Sequence, residues 1–319
     1  MKRRDFIRNN SILLGTLPLI NLHSLQIIEK MNQEKYKFKI GKFNCTVFKD
    51  LMWKYQASSF FINAKEEELA EALKKYEINP TNIQAPFIAM LLEMDDRKIL
   101  IDTGLGFSED PMIVNGKEFI AKGRLIQLLN EEGIKLNEIT DVIISHFHLD
   151  HVGGVFSEKN VLNFPNAKFH MPAEEWEFWH SSKSDAQPPL FKFFVEKNIT
   201  PLSNLNVNFI KDDFNEILPG LTAVKAEGHT PGQIALIIGE KNDNLLYIAD
   251  TFLHPLHIEK IDWRTSFDFD HDKAKQSRLK LLDLANEKGM LINAFHFNFP
   301  GLGRVEKLPS SWKWNYSEK

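Results

Sequence analysis

The six residues from position 146 to position 151 read His146-Phe147-His148-Leu149-Asp150-His151. Three imidazoles and one carboxylate in so short a span are hard to explain as packing, and they are the ligand types of catalytic zinc. The preceding residues 140–145 are mostly apolar or β-branched, which predicts a buried strand, and the glycines at 153–154 predict a turn. The cluster therefore lies where a strand ends, as functional residues do in α/β folds, and a histidine-rich surface loop is the less favoured interpretation.

Three further residues of metal-ligand type occupy the same kind of position. His229, Asp250 and His296 each lie just after an apolar run that predicts a strand. Together with the segment 146–151 they make four strand ends that carry ligand side chains. Because such ends can converge at one end of a sheet sandwich, the sequence predicts a single metal site built from separate parts of the chain.

The rest of the chain alternates between predicted strands and predicted helices, without an internal repeat or an interdomain linker. This order predicts two sheets packed face to face, with helices outside, in one domain. The predicted strands lie in 36–49, 86–93, 98–101, 140–145, 167–171, 221–226, 234–238, 245–249 and 290–294, and the predicted helices are 64–76, 120–132, 172–180, 190–197 and 272–288.

Composition excludes some classes of protein. The chain has 319 residues, 43% of them hydrophobic and 26% charged, which is ordinary for a globular protein. Its net charge of −4 provides no basic field that would attract nucleic acid, so no nucleic-acid partner is expected. Cys45 is the one cysteine, which excludes an intrachain disulfide and a cysteine-rich metal site.

The first residues resemble an export signal. Residues 1–8 are basic and include Arg3-Arg4, and residues 11–22 are mostly apolar and uncharged. This pattern is similar to a twin-arginine signal peptide, which we place at residues 1–30, before a domain that covers 36–319. The expected location is the periplasm or the exterior, with no stable membrane anchor after export. The alternative is a basic start before an N-terminal helix.

The separated motifs resemble those of the metallo-β-lactamase-fold hydrolase superfamily, from about Tyr36 to the C-terminus. The matching positions are 146–151, the Gly-His-Thr-Pro-Gly run at 228–232, Asp250, His296 and the Leu-Ile-Asp-Thr-Gly run around Asp102. Segments 164–167, 176–179 and 296–303 look most like the methyl parathion hydrolase group, near the lactonase-like enzymes. The resemblance implies an α/β fold with a four-layer αββα sandwich, in which two mixed β-sheets are flanked by helices.

The resemblance also implies a dinuclear site with two Zn²⁺ per subunit, although another divalent metal can use the same ligands. Asp150 and Asp250 are the expected catalytic carboxylates. The implied ligands are His146, His148 and His229 for the first metal, Asp150, His151 and His296 for the second, and Asp250 as the bridge.

The implied activity is hydrolysis of an ester, lactone or phosphotriester bond in a small molecule, by a hydroxide held between the two metals. Two alternatives stay open: a β-lactamase or thioesterase with the same site, and a metal-binding member without useful turnover. The sequence does not fix the natural substrate, and it leaves a homodimer open.

Several side chains near the motifs have two interpretations. Trp179 and Phe295 are predicted to contact the substrate, although aromatic residues at such spacing are more often part of the core. Asp102 is expected to accept a hydrogen bond from a ligand imidazole or its loop, or else to cap a turn. His254 and His257 are predicted to be loop histidines outside the ligand set, with His254 near enough to line the site.

Overall fold

The structure is a computed structural model that describes residues 33–240 and 243–317. The predicted signal peptide at 1–30 lies outside the described residues, so export stays a prediction. The chain from Glu34 onward forms one compact unit. No helix in the described ranges is both long enough and apolar enough to cross a membrane.

The strands of the described chain follow the alternating apolar runs of the sequence. They are β1 (Lys35–Ile40), β2 (Phe43–Tyr55), β3 (Ile83–Met94), β4 (Arg97–Ile101), β5 (Met112–Val114), β6 (Lys117–Phe119), β7 (Asp141–Ile143), β8 (Lys168–Pro172), β9 (Val207–Ile210), β10 (Asn215–Leu218), β11 (Leu221–Lys225), β12 (Ile234–Glu240), β13 (Asp243–Tyr247), β14 (Leu291–Asn293), β15 (Leu302–Lys307) and β16 (Trp312–Tyr316).

The helices are mostly short, and they lie between or after the strands. They are α1 (Ala57–Phe60), α2 (Glu66–Lys75), α3 (Leu125–Glu131), α4 (Leu149–Val152), α5 (Ala173–Trp179), α6 (Pro189–Asn198), α7 (Pro255–Glu259) and α8 (His271–Glu287). The longest, α8, is preceded by its N-cap Asp270, whose side chain accepts hydrogen bonds from the amides of Asp272 and Lys273.

Two seven-stranded sheets carry the fold. The first has the order β1-β2-β3-β4-β7-β8-β9, and the second runs in sequence order from β10 to β16. Both are mixed, because β4, β7, β8 and β9 pair in parallel in the first sheet and β13 pairs in parallel with β14 in the second. Two mixed sheets with flanking helices form the αββα sandwich that the sequence predicted.

The core lies between the sheets, and a smaller apolar layer lies under α8. Strand β13 shows how one alternating run supplies both layers. Leu245 and Tyr247 belong to the core that includes both sheets, whereas Leu246 packs with Leu281 and Leu282 of α8. Successive side chains on a strand point to opposite faces, so the buried part of β13, residues 245–247, is apolar on both faces.

The topology brings the ends of separate strands to one edge. Strand β12 is antiparallel to both β11 and β13, and β13 is parallel to β14. Strands β11, β13 and β14 therefore run in the same direction, and the residues that follow them meet at the same edge of the second sheet. A backbone hydrogen bond of 3.1 Å from the amide of Ile234 to the carbonyl of Ser145 joins this edge to the end of β7 in the first sheet.

The structure differs from the predicted elements at one helix start, in the strands β5, β6, β9 and β10, which the sequence did not predict, and in the C-terminal region. The helix predicted at 120–132 begins only at Leu125, because Gly123 approaches the Asp50 carboxylate closely and the amide of Leu125 bonds to that carboxylate. The segment from 302 to 316 was not predicted as structured, yet β15 and β16 pair there as an antiparallel hairpin.

Candidate metal centre

Strand β7 and helix α4 together fix the first group of predicted ligands. After Ile143 the chain leaves the sheet, and His148 occupies the residue before α4. Asp150 and His151 lie within the single turn of α4, so the short helix holds them next to the loop that carries the two earlier histidines. Glycine makes this packing possible: a Cβ at Gly153 would lie 2.1 Å from the carbonyl oxygen of Leu105.

The second sheet supplies the other three predicted ligands. His229 lies in the connection between β11 and β12, Asp250 lies in a 3-10 turn of residues Ala249–Thr251 after β13, and His296 follows β14. All three side chains are buried. The sheet edge described above therefore brings residues from four distant parts of the sequence into one cluster.

One half of the cluster contains His146, His148, His229 and Asp250, whose ligand atoms all lie within 4.8 Å of one another. His229 Nε2 lies 3.0 Å from His148 Nδ1 and 3.4 Å from Asp250 Oδ2, and His146 Nε2 lies 3.9 Å from that same oxygen. Three imidazoles and one carboxylate thus point toward a common centre.

The other half contains Asp150, His151, His296 and again Asp250. His151 Nε2 lies 3.3 Å from Asp250 Oδ1 and 3.8 Å from Asp150 Oδ2. His296 Nε2 lies 3.1 Å from Asp250 Oδ2 and 3.6 Å from Asp150 Oδ2. Asp250 therefore stands between the two halves, with one oxygen toward His151 and the other toward the remaining histidines.

The residues present fit a pair of divalent metal ions. Ligands bound tetrahedrally at about 2.0–2.1 Å from zinc would lie about 3.3 Å apart, which is the scale of the separations in both halves. His146 Nε2, His151 Nε2 and Asp250 Oδ1 are buried and have no hydrogen-bond partner. Buried polar atoms without partners are costly, and a pair of cations, one in each half of the cluster, would satisfy all three of these.

In the metal-free cluster two histidines and the central carboxylate are already in the form that binds a cation, whereas His229 would first release a proton. Burial, together with the neighbouring histidines, holds the pKa values of His146 and His148 well below their usual range, so both rings stay neutral and keep a lone pair. Burial opposes the charge on His229, but the carboxylates of Asp250 and Asp268 raise the pKa of His229 to about 9. Burial also favours neutral Asp250, yet His296 and His151 hold its pKa well below the usual value.

Asp102 lies directly behind the second half of the cluster. Its Oδ2 accepts hydrogen bonds from His151 Nδ1 at 2.8 Å, from the Ser145 hydroxyl at 2.8 Å and from the Tyr247 hydroxyl at 2.6 Å. Its Oδ1 accepts the backbone N–H of Ser145 at 2.8 Å. This fully buried carboxylate fixes the ring of His151 with Nε2 toward the metal position, and it also ties down the start of the ligand loop.

A second buried carboxylate, which was not predicted from the sequence, contacts a ligand histidine. Asp268 Oδ1 lies 3.3 Å from His229 Nδ1, and both its oxygens accept bonds from the buried guanidinium of Arg278, at 3.1 and 2.9 Å. The Nε–H of Arg278 donates to the carbonyl of Thr251, one residue after the predicted bridging ligand. Neither Asp268 nor Arg278 belongs to a recognisable motif, so no signal in the sequence identified this pair.

A cavity of about 690 Å³, part of it open to solvent, lies over the cluster and reaches His148, Asp150, His229, Asp250 and His296. Its other walls are aromatic and aliphatic side chains, and no lysine or arginine of the described chain lines it. The aromatic walls include Trp53, Tyr55, Phe87, Phe119, Phe191 and Phe267. The ring of Phe191 stacks on His148, with 4.5 Å between centroids.

The two aromatic residues predicted to contact substrate lie elsewhere. Trp179 is buried and donates its Nε1–H to Glu175, and Phe295 stacks beneath His151 with 4.0 Å between ring centroids. Neither is among the residues that line the cavity, so both serve the packing behind the ligands. His254 and His257 also lie outside the cavity lining, and His257 Nε2 donates to the carbonyl of Phe60.

Sequence and structure comparisons agree with this geometry. A sequence profile of the metallo-beta-lactamase superfamily matches residues 89–290. An N-acyl homoserine lactonase of Bacillus sp is 27% identical over 179 residues, which are 53% of this chain and 64% of the lactonase. An N-acyl homoserine lactonase of Bacillus cereus is 25% identical over 204 residues, 60% of this chain and 73% of that protein.

Among solved structures, AidC, a dizinc quorum-quenching lactonase in complex with a product, has a TM-score of 0.75 and 25% identity. That alignment covers 89% of this chain and 98% of AidC. The hydrolase AbOPH has a TM-score of 0.77 at 23% identity, with 90% of this chain and 98% of that chain covered, which shows the shared fold. Since the superfamily profile covers well over half of the chain, the protein belongs to the metallo-beta-lactamase superfamily.

Proposed function

We propose that the protein is a hydrolase that uses two divalent metal ions to open an uncharged lactone with an apolar acyl chain. The observation that carries the proposal is the aromatic cavity placed directly over the two halves of the histidine and aspartate cluster. Its aromatic and aliphatic walls offer apolar surface to a lactone ring and its acyl chain. The similarity to N-acyl homoserine lactonases supports the same substrate class.

The uncharged walls of the cavity favour an uncharged substrate over a β-lactam. A β-lactam antibiotic carries a carboxylate, and burying that charge without a cationic partner would be costly. The walls are aromatic and aliphatic, and the ionisable groups that reach the cavity are the carboxylates Asp150 and Asp250 and the ligand histidines His148, His229 and His296. Two bound divalent ions would leave the site itself positively charged, so discrimination against an anion would come from the walls, which carry no lysine or arginine to hold it.

The residues of the chain would divide the work of hydrolysis. Two bound divalent ions would lower the pKa of water and polarise the substrate carbonyl. His146, His148 and His229 would hold one ion, and Asp250 would share both. Phe191 would lie along the substrate beside His148, which excludes bulk water from one side of the reacting bond.

Asp150 is placed to handle the proton. Its carboxylate lines the cavity and lies beside His296. Attack by water forms a bond from the water oxygen to the lactone carbonyl carbon, and the ring carbon–oxygen bond then breaks. The proton released by the water would pass to Asp150 and from there to the departing alkoxide, which yields a hydroxy acid with no other reactant consumed.

Zinc and export complete the proposal. Zinc suits a site with histidine and bridging carboxylate ligands.

Residues 1–30 would carry the protein out of the cytoplasm by the twin-arginine route. Cell fractionation of the wild type and of a variant with Arg3→Lys and Arg4→Lys tests the export. We expect the wild type outside the cytoplasm and the variant retained within it, and equal distributions would contradict the export proposal.

A substrate panel tests the activity. Purified wild-type protein should hydrolyse N-acyl homoserine lactones faster than penicillins, and His148→Ala should lose turnover by at least about 100-fold together with bound metal. His180→Ala is the matched control, because His180 is exposed and packs on Trp176 away from the cluster. Undiminished turnover by metal-stripped His148→Ala, or turnover of penicillins alone, would contradict the proposal.

A further inference from the structure

We propose that Glu175 is a positioning residue that sets the spacing between the two loops that hold the first metal ion, and this inference rests on the two-metal site proposed above. Glu175 lies in α5, which follows β8, and β8 pairs in parallel with β7. Its side chain is completely buried although it is a carboxylate. A buried carboxylate requires hydrogen-bond donors, and the donors to Glu175 show which parts of the chain it positions.

Glu175 accepts backbone hydrogen bonds from both loops at once. One oxygen, Oε2, accepts the N–H of Phe147 at 3.0 Å and the Nε1–H of Trp179 at 3.0 Å. The other oxygen, Oε1, accepts the N–H of Gly232 at 2.7 Å. Phe147 stands between the ligands His146 and His148, and Gly232 belongs to the loop of His229. One side chain therefore joins the two chain segments that supply the three imidazoles.

The side chain must be a carboxylate to make these bonds. Both of its oxygens face donors, so both must be acceptors, and an ionised acceptor strengthens each bond. A glutamine of the same shape has one acceptor and one donor end. With its oxygen toward Phe147 and Trp179, its amide would face the N–H of Gly232, and two donors would oppose each other. Glutamine at 175 would therefore release the His229 loop.

The approach of the His229 loop to α5 is also fixed by packing. A Cβ built on Gly232 would lie 2.6 Å from the backbone nitrogen of Glu175, so the loop lies as close to the helix as a backbone can. The loop therefore cannot move closer to α5 to restore the hydrogen bond between Gly232 and Glu175 if that bond is weakened. By contrast, the preceding residue Glu174 is partly exposed and pairs with Lys225 outside the cluster.

The contacts of Glu175 touch one half of the cluster only. The hydrogen bonds that Glu175 accepts from Phe147, Trp179 and Gly232 involve no neighbour of His296 and no residue of α4. A change at Glu175 should therefore weaken the first metal position selectively. Supporting hydrogen bonds of this kind change metal affinity by about 10–100-fold.

The test is a Zn²⁺ competition titration against a chromogenic chelator, with metal-stripped wild type, Glu175→Gln and Glu174→Gln. We expect wild type and Glu174→Gln to bind two Zn²⁺ with the same affinities. In Glu175→Gln one of the two dissociation constants should rise by about 10–100-fold and the other by less than about threefold. Circular dichroism and the melting temperature of the metal-free proteins report the fold separately.

Glu175→Asp, which keeps the charge and withdraws the oxygens by one methylene, should give an intermediate loss at the same position. Equal weakening of both Zn²⁺, or unchanged affinities in Glu175→Gln, would overturn the proposal. Failure of both Glu175 variants to fold would also overturn it, because the residue would then serve the fold as a whole. Wild-type protein that binds fewer than two Zn²⁺ would instead refute the dinuclear site on which the inference depends.

Discussion

Replacement of Asp102 by asparagine would test how strongly the hydrogen bonds behind His151 affect metal binding at the second position. Asp102 is completely buried and accepts four hydrogen bonds, three of them at Oδ2 from His151, Ser145 and Tyr247. The fourth reaches Oδ1 from the backbone N–H of Ser145. Asparagine has nearly the same shape but only one oxygen, so it cannot accept bonds on both sides.

The expected loss follows from this arrangement. The best placement keeps the asparagine oxygen at the Oδ2 position, so its amide faces the N–H of Ser145 and leaves that buried donor without an acceptor. An unsatisfied buried donor costs about 1–3 kcal/mol, and each of the three remaining bonds loses about 1 kcal/mol when its acceptor becomes neutral. The free energy of unfolding should therefore fall by about 4–6 kcal/mol, and the affinity for one metal by about 10–100-fold.

Urea denaturation of the metal-free protein and Zn²⁺ competition measure the two quantities. Tyr247→Phe is the control, since it removes one donor to Asp102 and leaves the bond to His151 intact; it should cost about 1–2 kcal/mol and leave metal affinity nearly unchanged. An Asp102→Asn protein within about 1 kcal/mol of wild type, with both metals bound as tightly, would refute the reasoning.

Three further predictions concern groups around the site. Arg278→Met removes the buried partner of Asp268, so the free energy of unfolding should fall by about 3–5 kcal/mol in urea denaturation; a loss below about 1 kcal/mol would contradict this. Burial lowers the pKa of His257 to about 3, so between that pH and pH 6.5 only the unfolded chain takes up a proton at this residue. The free energy of unfolding of the wild type should therefore fall by about 2 kcal/mol more than that of His257→Gln between pH 7 and pH 5. Parallel curves of unfolding free energy against pH would argue against this. Phe191→Ala should raise KM for long-chain lactones about tenfold in steady-state kinetics, whereas Trp179→Phe should leave it unchanged; the opposite result would place the substrate elsewhere.

The fold and the seven candidate metal ligands could both be predicted from the sequence and from the family that its motifs resemble. This was feasible because the ligand residues are short polar insertions at the ends of apolar runs, and because parallel strands end at a common sheet edge. Asp150 and His151 were recognisable from local spacing, since one helical turn holds them together. His296 was recognisable only because a predicted strand directly precedes it.

The supporting residues and the cavity walls were beyond such reasoning. Asp268 and Glu175 are acidic residues in helical or loop segments without a motif, and their roles depend on donors from other elements. Trp179 and Phe191 are both aromatic residues in neighbouring short helices, and only the packing of α5 and α6 decides which one faces the cavity. Local sequence carries no signal for that choice.

The central claim is that the histidine and aspartate cluster binds two divalent ions that drive hydrolysis of an uncharged lactone. The most direct test is lactone hydrolysis by metal-stripped protein as Zn²⁺ is added stepwise, with bound metal measured in the same samples. We expect no turnover without metal and a rise in turnover that levels off at two Zn²⁺ per chain. Full turnover in the stripped protein, or a plateau at one bound Zn²⁺ per chain, would contradict the claim.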